Sequence, residues 1–164
     1  MAESDKPAQI QDARFRESRL GGHDKKVLLD YKVPARLEEI EKLAEAVNQA
    51  LPDRDQAFAA NLCLEELIIN TILYGLKGAS GRFVHVQISL SDEWLEIVIK
   101  DDAPRFDPFM QAPKPNLDLD IDERPIGGLG VHIVKTIMDE AHASYDGAGN
   151  SIVLRKRLQR RTTE

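Results

Sequence analysis

Leu64-Glu65-Glu66-Leu67-Ile68-Ile69-Asn70-Thr71-Ile72-Leu73-Tyr74-Gly75 is the stretch that fixes how the rest of the chain reads. Its apolar residues recur at helical spacing, which predicts a helix buried along much of its length. Glu66 and Asn70 interrupt the apolar pattern. They are one helical turn apart and lie one above the other on a single face. A buried carboxylate is costly unless it is paired, hydrogen-bonded or beside a metal ion. Two oxygen-bearing groups aimed the same way suit a hydrated Mg2+ and its ligand. They equally suit a plain structural arrangement, an acid on a helix beside a satisfied amide. The pair alone does not choose between the two.

Upstream, residues 1–25 are polar with a Gly21-Gly22 break, and are expected to form a mobile N-terminal tail. Val27, Leu29, Tyr31 and Val33 alternate with polar neighbours, the period of a half-buried strand. Pro34 is expected to end that strand and open a helix. Leu37, Ile40, Ala44, Val47 and Leu51 give that helix one apolar stripe. A second helix is expected from about Arg54 to Tyr74, ended by Gly75 and Gly78. Two strands follow, joined at Ser91-Asp92. Val84, Val86, Ile88 and Leu90 share a face of one. Leu95, Ile97 and Ile99 share a face of the other, and by the same alternation so does Asp101. An acid aimed into the covered side of a sheet needs a partner there.

From Asp102 to Arg124 the periodicity dissolves into four prolines and an acidic run, a length typical of functional lids. Ile126-Gly127-Gly128-Leu129-Gly130 ends it and opens a helix to about Asp139. A last hairpin is expected, Ala143 to Tyr145 turning through Gly147-Ala148-Gly149-Asn150 into Ser151 to Leu158. Hairpin-joined strands with helices on one side predict an α+β fold, a two-layer α/β sandwich with a mostly antiparallel sheet. The domain is expected over residues 26–158, with 159–164 a C-terminal tail.

Composition narrows the function classes. The 164 residues are 42% apolar and 30% charged, ordinary for one globular domain. No apolar run approaches the ~20 residues of a membrane helix, and the first residues lack a signal-peptide core. A cytoplasmic protein without a membrane partner is therefore expected. Cys63 is the single cysteine, which excludes an intrachain disulfide and a cysteine-based zinc site. A net charge of −6 speaks against nucleic acid as a direct partner. The basic run Arg155-Lys156-Arg157 and Arg160-Arg161 reads as a solvated strand end or tail.

Gly127-Gly128-Leu129-Gly130 ahead of a helix is a plausible anion cradle. Glycine lets backbone N–H groups approach a phosphate, and the helix start carries about half a positive charge. There is no Gly-x-x-x-x-Gly-Lys-Ser/Thr, and the run does not directly follow a strand as a dinucleotide fingerprint would. His23, His85, His132 and His142 are scattered and make no zinc motif. His85 is expected on the outward face of its strand and His132 on a helix surface.

Three pieces stand in a fixed order: Glu-x-x-x-Asn on a helix, a strand ending in Asp101 with Phe106-Asp107-Pro108 beyond it, and a long lid ending in Gly-Gly-Leu-Gly. In this order they resemble the Bergerat-fold ATPases shared by histidine kinases, gyrase, Hsp90 and MutL. Within that superfamily the likeness is to the bacterial anti-sigma factor serine/threonine kinases, over about residues 27–158. Asp101-Asp102-Ala103-Pro104-Arg105-Phe106-Asp107-Pro108, Gly127 to Val134 and Ile137-Met138-Asp139 carry it.

The resemblance implies ATP and Mg2+ as cofactors. It implies Glu66 as general base, Asn70 as the Mg2+ ligand beside the phosphates and Asp101 as acceptor of the adenine amino group. Ala103 and Phe106 would line the base site. Gly127, Gly128, Leu129 and Gly130 would form the second glycine box, with Arg124 reaching the terminal phosphate. It also implies partners: a small antagonist of the STAS type that is phosphorylated, a sigma factor that is sequestered, and a second copy in a homodimer. Position 103 departs from the family pattern Asp-x-Gly. Alanine there is penalised if the backbone needs positive φ, and touches the base if glycine serves only for close approach. That departure motivates an alternative, a non-catalytic partner-switching module that keeps the fold.

Overall fold

Alternation on either side of Ser91-Asp92 sets the sheet. In a computed structural model, which describes residues 24–111, 118, 120 and 129–159, β2 (Phe83–Leu90) and β3 (Trp94–Asp101) pair antiparallel. Val86 lies opposite Ile99, Ile88 opposite Ile97 and Leu90 opposite Leu95, so one face is apolar across both strands. β1 (Lys26–Pro34) adds to β2, and β5 (Asn150–Arg157) to the other side of β3. β4 (Glu140–Tyr145) closes the far edge, giving a five-stranded antiparallel sheet in the order β1-β2-β3-β5-β4.

The helices α1 (Glu39–Ala50), α2 (Arg54–Asn70), a short α3 (Pro108–Gln111) and α4 (Leu129–Ile137) complete the described elements. Leu43 and Val47 of α1, Cys63, Leu64, Leu67 and Ile68 of α2, and Val134 of α4 join the inward strand residues in one core. This is the α+β two-layer architecture that the strand pattern predicts. Asp53 starts α2 by accepting from the N–H groups of Asp55 and Gln56, both at 3.0 Å. Arg54–Gly75 is long and apolar enough to cross a membrane by length and composition, contrary to the expectation that no stretch is. Half of it is buried here as the central core helix. Cys63 lies inside that core, where burial pushes its thiol up to about 12.

Several local expectations are corrected. The register of β1 shifts between Val27 and Leu29, which removes Val27 from the inward set and leaves it 49% exposed. Pro34 does not open α1. Ala35 N–H still donates to Arg82 O at 2.9 Å, so the ladder holds the chain past Pro34, and Leu37 stays exposed ahead of the helix. α4 stops at Ile137 because Asp139 N–H already bonds Arg155 O at 2.9 Å, drawing the chain into β4 three residues before the expected Ala143. The tail of residues 1–23, Arg160-Arg161 and most of the lid lie outside the described residues.

The basic run at the end of β5 is integrated rather than merely solvated. Arg155 pairs with the buried Glu96 at 2.8 Å on the outward face, where Lys25 also meets Glu96. Lys156 caps α4 by donating to Ile137 O at 3.1 Å, and Arg157 stacks over Trp94. Burial opposes the charge on Glu96, but the bonds from Lys25 and Arg155 outweigh it and hold the carboxyl below its usual range. A depressed carboxylate contributes stability above its unfolded value, lost as pH falls through the folded one. Glu96→Gln is therefore expected to cost about 2 kcal/mol at pH 7, and urea melts should find that gap closing below about pH 4.

Candidate active site

The α-helical register of α2 ends at Asn70. Thr71–Gly75 continues as a single π turn, closed by Leu76 N–H to Thr71 O at 2.7 Å. Such turns cost hydrogen-bond geometry and occur frequently at functional sites. Here the turn brings Gly75 beside the loop after β3, where a Cβ on it would be in ordinary contact, 3.7 Å from Ala103 Cβ and 3.8 Å from the Phe106 ring.

Asn70 Nδ2 donates to Glu66 O at 2.9 Å. Its donor side is thus tied to the helix, which leaves Oδ1 as the outward-facing acceptor. Glu66, half-buried one turn earlier, meets the start of α4. A Cβ on Gly130 would fall 1.8 Å from Glu66 Oε2 and 2.5 Å from its Cδ, so only glycine lets the carboxyl rest against the first turn of α4. Burial pushes the Glu66 carboxyl above the usual carboxylate range, and the charge of Glu65 adds to the rise. A raised carboxylate is the better proton acceptor near neutral pH.

Asp101 lies at the inward end of β3, in step with Ile97 and Ile99 and on the side that α2 covers. Its Oδ1 accepts from Ala103 N–H and from Asn150 Nδ2, each at 2.9 Å. Ala103 is 1% exposed, and its φ is not in the left-handed region, so the methyl carries no backbone strain. Phe106 is half-buried beside it. Leu129 begins α4 and is exposed. Arg124, Gly127 and Gly128 lie outside the described residues.

Neighbouring residues therefore run from Gly130 through Glu66, Asn70 and the π turn to Ala103, Phe106 and Asp101, although they come from three separate segments. A different concavity, about 500 Å³, lies at the opposite end of α2 between Asn48, Leu51, Arg54, Phe58 and Asn61. It holds no acid–amide pair and no inward acid, and the described chemistry is not there. Asn150 escaped the sequence reading, which took it for the end of a turn. Its signal was its place: the first residue of a strand, across from an inward Asp.

The arrangement offers an acceptor poised for a proton, one amide oxygen and an inward carboxylate at the far end. Among the described residues no group of three His, Cys, Asp or Glu side chains could hold a metal. Asn70 Oδ1 fits a hard, largely hydrated cation whose other ligands come from water or substrate oxygens. Gly130→Ala is expected to displace the Glu66 carboxyl, a flexible tip, and spare the fold. Thermal melts should change little, while any reaction that uses Glu66 as base falls about 10²-fold.

Comparison with known proteins gives the family and the fold. The chain is 26% identical over 108 residues to the serine-protein kinase RsbW of Listeria innocua, covering 63% of this chain and 67% of that protein. It is 25% identical over 122 residues to the anti-sigma F factor of Oceanobacillus iheyensis, covering 74% and 83%. The fold is similar to a chain in the crystal structure of the SiaB-SiaC complex from Pseudomonas aeruginosa, with TM-score 0.57, 18% identity and coverage of 80% and 89%. The model of the histidine kinase-like ATPase domain matches residues 32–156, from within β1 to the last residue but one of β5, a span that includes every described residue of the site; the chain belongs to that family.

Proposed function

We propose that the chain is an ATP-dependent protein serine/threonine kinase of the anti-sigma type, with residues 26–158 as its ATPase unit. Its substrate is a serine or threonine on a small STAS-type antagonist. Its other partner is a sigma factor, sequestered until the unphosphorylated antagonist competes, and it works as a homodimer in the cytoplasm. The observation that carries this reading is the seat of Glu66: a half-buried acid with a raised pKa, one turn from an amide oxygen and against the first turn of a glycine-led helix.

In this reading Glu66 accepts the proton of the attacking hydroxyl. Asn70 Oδ1 holds Mg2+, which neutralises charge on the phosphates when bound. Asp101 accepts from the adenine amino group beside Ala103 and Phe106. Gly127, Gly128, Leu129 and Gly130 cradle the phosphates, and Arg124 offsets charge on the terminal one. Ala103, where the family resemblance implies glycine, favours the second reading, a binding module without catalysis, because its methyl would line the base site.

Titration calorimetry with Mg2+-ATP separates the two. Binding at micromolar to millimolar nucleotide, weakened about tenfold or more by Asn70→Ala, supports the kinase. No heat and no thermal stabilisation at millimolar nucleotide supports the module. Partners captured from the source cell and incubated with labelled ATP then test transfer itself.

A further inference from the structure

Asn150 is 5% exposed and opens β5 directly opposite Asp101. Its Nδ2 donates to Asp101 Oδ1 at 2.9 Å, to Pro104 O at 3.0 Å and to Ala103 O at 3.3 Å. Its Oδ1 accepts from Phe106 N–H at 2.9 Å. Two N–H hydrogens are shared among three acceptors, so every polar atom of the side chain is used. The hairpin does not need this. Asp146 Oδ1 accepts from Ala148 N–H at 2.8 Å and Gly149 N–H at 2.9 Å, Asp146 N–H donates to Gly149 O at 3.2 Å, and the Tyr145 hydroxyl donates to Gly147 O at 3.1 Å. The Asn150 side chain is spent wholly on Asp101 and on the segment that follows it.

The consequence falls on one carboxylate. Oδ1 of Asp101 has two donors, Ala103 N–H and Asn150 Nδ2, while Oδ2 has no hydrogen-bond partner among the described residues. The carboxylate is thereby held against rotation, with one fixed, acceptor-only oxygen left for a ligand. We infer that Asn150 is a positioning residue that sets base selectivity: by occupying Oδ1 it presents Oδ2 to a purine bearing an amino donor at its 6-position and turns away one bearing a carbonyl. The inference rests on the nucleotide reading above. A site built to accept a hydrogen bond discriminates strongly, because the wrong base, once seated, faces that acceptor with another acceptor. Without the amide, the carboxylate can turn about its last bond and water can enter beside it. The Ala103–Phe106 backbone loses its shared anchor at the same time.

ATP and ITP differ at the 6-position of the base, amino against carbonyl, and make the probe. Titration calorimetry of the full chain with each, in Mg2+, is expected to give wild type a preference for ATP of about tenfold or more. Asn150→Ala is expected to bring that ratio to within about twofold. A merely structural role would weaken both nucleotides together and leave the ratio alone. If Asn150→Ala does not fold, Asn150→Asp carries the test. It keeps the size and the acceptor for Phe106 N–H but sets a like charge beside Asp101, so the pair shares a proton and the preference moves towards ITP. Selectivity retained in a folded variant overturns the role of Asn150 and leaves the ATP reading intact. Binding of neither nucleotide by wild type overturns both.

Discussion

Glu66→Gln is expected to remove phosphoryl transfer by about 10²–10⁴-fold while Mg2+-ATP binding survives. Glutamine keeps the shape that rests against Gly130 and loses only the ability to take a proton. The same variant should be more stable than wild type at pH 8. Burial and the charge of Glu65 raise the Glu66 pKa on folding, so the charged form costs stability above the folded value. Below the unfolded value of about 4.3 both forms are neutral, and the gain should vanish. Thermal melts at pH 8 and pH 4, beside a transfer assay on the captured partner, check both halves. Transfer retained by Glu66→Gln would remove Glu66 from the chemistry. A variant less stable than wild type at pH 8 would make Glu66 a structural residue.

Gly149→Ala carries the largest expected cost in stability. Gly149 is not in the left-handed region, so the constraint is space and not conformation. A Cβ there would lie 2.0 Å from Asp101 O, 3.0 Å from Asp101 C and 3.1 Å from Asp102 Cα. All three are main-chain atoms of β3 and its exit, and no side chain can swing aside. Relief requires β3 and β5 to part where Asp101 faces Asn150. The expected loss is about 3 kcal/mol, a large share of the roughly 5–15 kcal/mol that holds a domain folded. Urea melts should register it as a lower midpoint with little change in slope. An unchanged midpoint would mean that the two strands do not pack this closely.

Much of this was legible in the chain because the signals were periodic. Alternation through Val84–Leu90 and Leu95–Asp101 gave the strands, their shared face and the inward aim of Asp101, all of which the register bears out. The Glu66–Asn70 spacing placed both on one face of α2. The misreadings arose where contacts between segments override local pattern. A bulge turned Val27 outward; Pro34 does end β1, but a backbone bond from Ala35 to Arg82 holds the chain to the sheet edge and delays α1 to Glu39. The π turn has no sequence signature of its own. It joins an otherwise continuous apolar helix and sets Gly75 beside Ala103 and Phe106. Asn150 looked like turn chemistry because Asn is common in turns. Its role depends on a partner 49 residues away.

In the proposed function Glu66, Asn70, Asp101 and the start of α4 line one nucleotide site. Titrating 15N-labelled protein with Mg2+-ATP and following each amide tests it most directly. The expected result is a common saturation curve for Asn70, Ala103, Phe106 and Gly130, with the amides of Phe58 and Asn61 undisturbed. Shifts gathered around Phe58 and Asn61, or shifts at Gly130 that saturate without any at Ala103, would contradict it.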